Sequence, residues 1–415
     1  MNKSYEGARA LVIGGSIGGL TAGLLLQDLG FAVTIFERSS SELDGRGGGI
    51  VLQPEMLRWF KERSHLTPAD VSTATEWLRY LGPGNEILHE EPADWSYSSW
   101  STLYSALLYD FSRANYVLGE SALDFVQDSE AVEVRFASGR TERAELVVFA
   151  DGISSVGRKR LNGDVPATYA GYIGWRGTVP ESQVSGETFG LLGNALTYSF
   201  APNTHICMYP IPGPRQSFSA GGRLLNYVWY RNVQEGPEVD EMFINKLGAR
   251  SGVSVPPGLV QDRYVQEMQD AADVLAPAAT ELIRRTAQPY IQRIVDVRSW
   301  SMVDGRVAVL GDAAFAARPH AAAGTAKAAA DGWALAEALG QSAGDVQAAL
   351  IAWEPAQLKT GHALVDRVGR MGDGAQHLNK WTPGDPAMRF GLHGPRRGGV
   401  HTAPLIQKQT LGRRI

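Results

Sequence analysis

The chain has 415 residues, of which 44% are hydrophobic and 20% charged, and its formal net charge is −5. These values suit a soluble protein with a large core, expected over two domains, and give no electrostatic reason for nucleic acid or an anionic membrane as partner. Cys207 is the only cysteine, no apolar run is long enough to span a bilayer, and Asn2 to Glu6 lack the apolar core of a secretion signal, so an intrachain disulfide is excluded and a cytoplasmic location is expected.

Residues 10–13 read as a buried strand, followed by Gly14-Gly15-Ser16-Ile17-Gly18-Gly19. A helix is predicted over 18–29, where Leu20, Leu24 and Leu25 recur at helical spacing, and Gly30 ends it. Residues 32–36 alternate as a second strand that stops at Glu37 and Arg38. This is one βαβ unit, the opening of a doubly wound sheet. The loop Gly45-Arg46-Gly47-Gly48-Gly49 comes next. Residues 132–136 and a Ser138-Gly139 turn predict a hairpin, and 146–150 read as a buried strand before Asp151-Gly152, Ser155 and Arg158. Residues 169–229 are rich in aromatics, glycine and proline, with strand-like stretches at 198–200, 206–209 and 225–230; residues 77–100 are expected to join them in a mostly β layer. A last buried strand over 307–310 meets Gly311-Asp312, and helices are predicted over 325–339 and, despite Pro355, 350–370. The tail from Thr382 is rich in turns, and its sequence leaves a lid, a subunit contact and disorder open.

A dinucleotide pyrophosphate needs free backbone N–H groups at a helix N-terminus and a backbone that can approach closely. Gly14 suits the tight turn and Gly19 the close packing of helix on strand. Ser16 stands at the middle glycine of G-x-G-x-x-G and offers a hydroxyl instead. Glu37, 23 residues after Gly14, stands where a carboxylate commonly grips the adenosine ribose. Alone, this unit fits NAD as well as FAD. The other two turns favour FAD. Asp312, at a strand end, suits the hydroxyls of a ribityl chain. The helix N-terminus near Gly324 and Thr325 can offer N–H groups to the flavin pyrimidine. Asp151-Gly152, with Ser155 and Arg158, fits a second tight turn beside the pyrophosphate. No second glycine-rich fingerprint is present, so NAD(P)H is expected as a transient co-substrate. The histidines show no metal-ligand spacing, and no metal is expected.

With these motifs in place, the chain resembles the single-component (group A) flavin aromatic hydroxylases, the para-hydroxybenzoate hydroxylase family, over roughly residues 9 to 371. The Asp151-Gly152 turn is a rather specific mark of that family. Further likeness lies in Gly49-Ile50-Val51 with Gln53-Pro54-Glu55, Tyr169-Ala170-Gly171-Tyr172 with Trp175-Arg176-Gly177, Tyr209-Pro210-Ile211-Pro212-Gly213, and Arg318 through Lys327. The chain departs from the family in three places. Phe315 stands where a histidine is usual, the later G-x-G is reduced to Ala322-Ala323-Gly324, and Trp100 or Thr102 takes the place of a helical arginine. Arg46 or Arg158 is therefore the candidate for the missing pyrophosphate contact.

The resemblance implies a doubly wound, glutathione-reductase-like α/β FAD-binding domain with an interleaved, mostly β substrate-binding domain. The chain would be shared as FAD-binding 1–76, 101–165 and 291–350, substrate-binding 77–100 and 166–290, and a C-terminal helix and tail 351–415. It implies non-covalent FAD, reduction by NAD(P)H, and oxygen transfer to an electron-rich hydroxypyridine or phenol-like ring through a flavin C4a-hydroperoxide. Partners are then a small aromatic substrate, O2 and NAD(P)H, with a homo-oligomer left open. Candidate cofactor residues are Gly14, Gly15, Ser16, Ile17, Gly18, Gly19, Glu37, Arg38, Arg46, Val51, Asp151, Gly152, Arg158, Gly311, Asp312, Pro319, Ala323, Gly324 and Thr325. His320 is the candidate base, because it follows Pro319 at the expected flavin face and titrates near neutrality. A structural histidine at that helix start is the competing reading. Tyr198, Tyr209, Tyr227, Trp229 and Arg318 are candidate substrate contacts, although aromatic strand residues are more often core. A larger metabolite with the same ring head, an FAD-dependent reductase or dehydrogenase, and a non-catalytic redox sensor remain alternatives.

Overall fold

The computed structural model describes residues 5–43, 48–214 and 217–396. Its first sheet has six strands, in the order Val303–Asp304, Val307–Val309, Leu146–Phe149, Arg9–Ile13, Ala32–Glu37 and Tyr116–Leu118. All neighbours run parallel except the antiparallel edge Val303–Asp304. Parallel strands covered on both faces read as continuous apolar runs, and the Leu146–Phe149 and Val307–Val309 strands are buried at every residue. Helices Ile17–Asp28, Trp100–Phe111 and Gly324–Gln341 pack in this core. A three-stranded sheet, Ala122–Gln127, Val132–Phe136 and Thr141–Ala144, meets it through the Phe36–Phe136 and Phe125–Phe149 ring contacts. The hairpin predicted at Ser138-Gly139 is the antiparallel pair of its last two strands.

The second sheet has nine strands, in the order Ser254–Val255, Tyr290–Asp296, Thr168–Pro180, Leu224–Asn232, Thr204–Ile211, Ala195–Ala201, Thr73–Leu81, Ile87–Ser99 and Gly49–Val51. The aromatic stretches read from the sequence lie in this sheet, and Thr73–Leu81 and Ile87–Ser99 add two strands to it, while Trp100 begins a helix. Two helices not read from the sequence, Asp262–Asp270 and Pro277–Arg284, cover one face with Met268, Leu282 and Ile283 against Trp175, Tyr227 and Trp229. The opposite face carries Tyr97, Tyr198, Cys207, Tyr209, Val228 and Tyr230.

The helix predicted over 350–370 is longer, Val346–Gln376, and does run through Pro355. Proline deprives the Ile351 carbonyl of its partner, and Ile351 is exposed, so water can serve that oxygen. Beyond it, residues 381–396 are seated on the molecule. Arg389 Nη2 donates to both Glu91 carboxylate oxygens, at 2.8 and 2.9 Å. Arg367 donates to the Gly391 and Arg389 carbonyls, and Leu392 N donates to Gln53.

Candidate active site

Two cavities lie end to end between the sheets and share Ser16, Trp100, Ala150 and Gly152 as walls, so they form one elongated cleft. The end of about 280 Å³ is bounded by Gly14, Glu37, Arg38, Asp151 and Gly152. The end of about 360 Å³ is bounded on the cofactor side by Ser16, Ile17, Gly18 and Val51, and by the turn residues Gly311, Asp312, Pro319, Ala323, Gly324 and Thr325.

The first turn shows why glycine stands at its start. Gly14 has φ +105°, and a Cβ there would collide with the Ala150 carbonyl on the neighbouring strand. Ser16 caps the helix Ile17–Asp28 without spending its hydroxyl on a cap bond. That hydroxyl and the open N–H groups of the helix start face the cleft, and the start of helix Gly324–Gln341 is likewise without a side-chain cap. Glu37 accepts from Gly15 N and Ser39 N, each at 2.9 Å. Gly15 N–H is thus spent inside the protein, and Gly15 and Gly19 position the turn without bounding either cavity.

Asp312 is open to the cleft, although protein surrounds it closely enough that burial raises its carboxyl pKa, offset in part by Lys327. Asp151 uses one oxygen on Val156 N at 2.7 Å and leaves Oδ1 buried without a partner; burial raises its pKa too. Two helix starts without a side-chain cap bond, a free hydroxyl, an open carboxylate and an orphaned carboxylate oxygen along one cleft fit the chemistry of FAD. Cys207 also lines the cleft, but burial pushes its thiol up to about 12, so it does not provide the thiolate that a covalent flavin link would need.

Several sequence expectations need correction. Arg158 does not reach the cleft: it donates to the Ala313 and Ile153 carbonyls, tying the Asp151 and Asp312 turns together. Arg46 lies outside the described residues. Trp100, at the place of the missing arginine, is a wall of both cavities. Tyr227 and Trp229 point away from the site, because strand side chains alternate and these two belong to the helix-covered face. Tyr198 and Tyr209 do bound the cavity. Register then settles the neighbours: Cys207 pairs with Tyr198 and with Val228, and His205 pairs with Tyr230, so Val228 and Tyr230 share the cavity face. Counting parity from Tyr209 through the antiparallel partner could have found them; aromatic type could not. Arg318 is also absent from the cavity wall, being held by Asp296 at 3.0 Å and Asp373 at 2.6 Å. Arg176, His205, Met388 and Phe390 were missed and line the site. The last two come from the C-terminal tail, which thus walls the ring end.

His320 lies on the wall, but burial, with His205 and Arg318 nearby, drives its pKa well below the ordinary histidine value. No carboxylate supports it among the described residues. Its Nε2 lies 2.7 Å from the Tyr172 hydroxyl, and Arg318 Nη1 donates to the same hydroxyl at 3.5 Å. Arginine can only donate, so the Tyr172 proton is free for His320 Nε2, and a neutral ring that accepts it carries its own proton on Nδ1. In that tautomer His320 offers a donor at Nδ1, and its lowered pKa disfavours the base role expected from the sequence.

With this cleft described, the chain belongs to the single-component FAD-dependent aromatic hydroxylases. It is an FAD-dependent monooxygenase, with NAD(P)H and O2 as its co-substrates. It is 37% identical to the 2,6-dihydroxypyridine 3-monooxygenase of Paenarthrobacter nicotinovorans, over 92% of this chain and 96% of that one. The structure of 2,6-dihydroxypyridine-3-hydroxylase from Arthrobacter nicotinovorans superimposes with a TM-score of 0.88 at 36% identity, covering 94% of this chain and 98% of that one. A 25% identical relative, covering 97% of this chain and 98% of its own length, is the 6-hydroxynicotinate 3-monooxygenase of Pseudomonas fluorescens. Residues 169–296, which carry six strands of the aromatic sheet and the two helices that cover it, match the FAD binding domain-like family. Among the described residues no helix is long and apolar enough to cross a membrane, and no histidine, cysteine or carboxylate cluster could hold a metal.

Proposed function

We propose that the protein hydroxylates a single electron-rich hydroxypyridine ring. The observation that carries this reading is the end of the cleft beyond the flavin turns, closed by Tyr198, Tyr209, Tyr230, His320 and Phe390. Its volume of about 360 Å³ has to take both the isoalloxazine and the substrate, which favours one ring over a long-tailed metabolite. The 37% identical relative, whose name gives a dihydroxypyridine, supports the same class.

Bound FAD supplies the two-electron reduction by NAD(P)H and the activation of O2. Ser16, Asp312 and the Gly324–Thr325 helix start hold it, with Glu37 and Arg38 at the adenosine end. The aromatic wall excludes water, and His320 donates from Nδ1 to a ring oxygen. NAD(P)H docks transiently, because the sequence has a single dinucleotide fingerprint.

The test is NADH or NADPH oxidation under air with 2,6-dihydroxypyridine and 6-hydroxynicotinate, followed by product mass. A gain of one oxygen supports hydroxylation. A reduced or dehydrogenated product, or no ring turned over, rejects it. A stoichiometric NAD(P)H complex surviving gel filtration of the oxidised enzyme would reject transient docking.

A further inference from the structure

Arg176 lies on strand Thr168–Pro180, in the cavity wall. Its guanidinium is always charged. The titratable groups facing it are Tyr290 on Tyr290–Asp296, Tyr230 on Leu224–Asn232, and Tyr209 and Cys207 on Thr204–Ile211. Burial raises the pKa of each, so none brings a negative charge near neutrality. No described carboxylate lies within ion-pair distance of Arg176, and its Nε is buried without a hydrogen-bond partner. Of the other enclosed arginines, Arg223 is paired with Glu181 and Arg318 with Asp296 and Asp373, while Arg158 is satisfied by two backbone carbonyls; Arg176 Nε has neither. A buried charge is normally paired, since leaving water is costly. The Gly48 backbone packs against this group: a Cβ there would stand 3.2 Å from Arg176 Nη1, 3.0 Å from Asn226 Oδ1 and 2.7 Å from the Tyr290 hydroxyl.

We propose that Arg176 is the counter-charge for an anionic ring oxygen, so that this cavity takes its hydroxypyridine as the conjugate base. The inference rests on the functional reading above. The ring O–H gives its proton to bulk water, the bonding pair stays on oxygen, and no side chain need serve as base. An opposite charge at 4–6 Å shifts ionisation by about 10- to 1000-fold toward the charged form.

The experiment follows the ultraviolet difference spectrum of 2,6-dihydroxypyridine bound to oxidised holoenzyme against pH. In the wild type the bound probe should stay anionic at a proton concentration about 10- to 1000-fold above that which neutralises it in solution. Arg176→Gln should return the bound titration to the solution value and weaken binding at neutral pH by at least about tenfold. Arg176→Lys keeps the charge on a shorter chain, should retain part of the shift, and serves if the neutral variant does not fold. A wild type that binds the probe neutral overturns the inference, as does an Arg176→Gln enzyme that binds the anion as well as the wild type. A variant whose flavin potential moves without probe, while the bound titration does not, assigns the arginine to the flavin and overturns it too. Wild-type enzyme that hydroxylates the probe keeps the functional reading intact in all three cases; failure to bind any hydroxypyridine ends both.

Discussion

The Tyr172 hydroxyl stands between His320 Nε2, at 2.7 Å, and Arg318 Nη1, at 3.5 Å, so its own proton is free for the histidine. Arg318 is itself fixed by Asp296 and Asp373. With the ring proton on Nδ1, this chain of donors ends at His320.

His320→Asn, whose amide can place a donor near the position of Nδ1, should keep hydroxylation within about tenfold. His320→Leu should lose about 10²–10³-fold, as for removal of one preorganised donor, and should release H2O2 as NAD(P)H oxidation uncouples. A base role predicts instead that Asn also costs about 10²–10⁴-fold. Product yield per NAD(P)H consumed in the two variants separates these outcomes.

Glu37 and Asp312 differ in what they hold without cofactor. Each replaced by alanine should weaken FAD by about 1.5–3 kcal/mol through lost charge-assisted hydrogen bonds. Glu37→Ala also orphans the Gly15 and Ser39 N–H groups, so the apoprotein should melt earlier. Asp312 makes no such bond among the described residues, and its apoprotein should melt as the wild type does. FAD titration and apoprotein melting check both.

Lys327 and Asp331 form an ion pair at 2.6 Å, each side chain 1% exposed, and the same Asp331 oxygen accepts from Gly311 N at 2.9 Å. Removing one member leaves a buried charge alone, at about 3–5 kcal/mol. Lys327→Met should therefore lower stability by that amount, and weaken FAD because Gly311 begins the ribityl turn. Denaturant unfolding at matched FAD saturation measures the first effect, and fluorescence titration the second.

Strand parity makes a kinetic prediction. Val228→Phe should raise the ring substrate's KM at least about tenfold by filling the cavity. Trp229→Phe removes the bond to Thr204 at 2.8 Å and should cost about 1 kcal/mol of stability with KM unchanged. A KM shift from Trp229→Phe would mean that the faces are reversed.

His205 is buried, with Nδ1 2.6 Å from Gln376 Nε2, and burial drives its pKa from 6.5 down to about 3. Between these values the unfolded chain binds the extra proton, so the stabilisation is full above pH 6.5 and is lost as pH falls toward 3. The limiting slope is about 1.4 kcal/mol per pH unit. Wild type should thus lose more stability than His205→Gln between pH 6.5 and 4.5, as followed by denaturant midpoints.

The sequence by itself determined the cofactor half. Strand, glycine turn, helix and terminal acid follow one another within about thirty residues, and each of the later turns sits directly after its own strand. Their geometry is local, so Gly14, Ser16, Glu37, Asp151 and Asp312 could be placed beside the cleft from spacing alone. The ring half was decided by tertiary structure. Its wall is assembled from strands near positions 50, 176, 207 and 230, a turn at 320 and a tail at 390, and pairing across the sheet chooses which side chains face in. One residue of parity moved the choice from Tyr227 and Trp229 to Val228 and Tyr230. Burial then did what no motif records: it drove His320 to its neutral form, spent Arg158 and Arg318 on structural partners, and left Arg176 beside the cavity without a described carboxylate. Charge and protonation depend on the distance to groups remote in the chain, and only the folded arrangement supplies those distances.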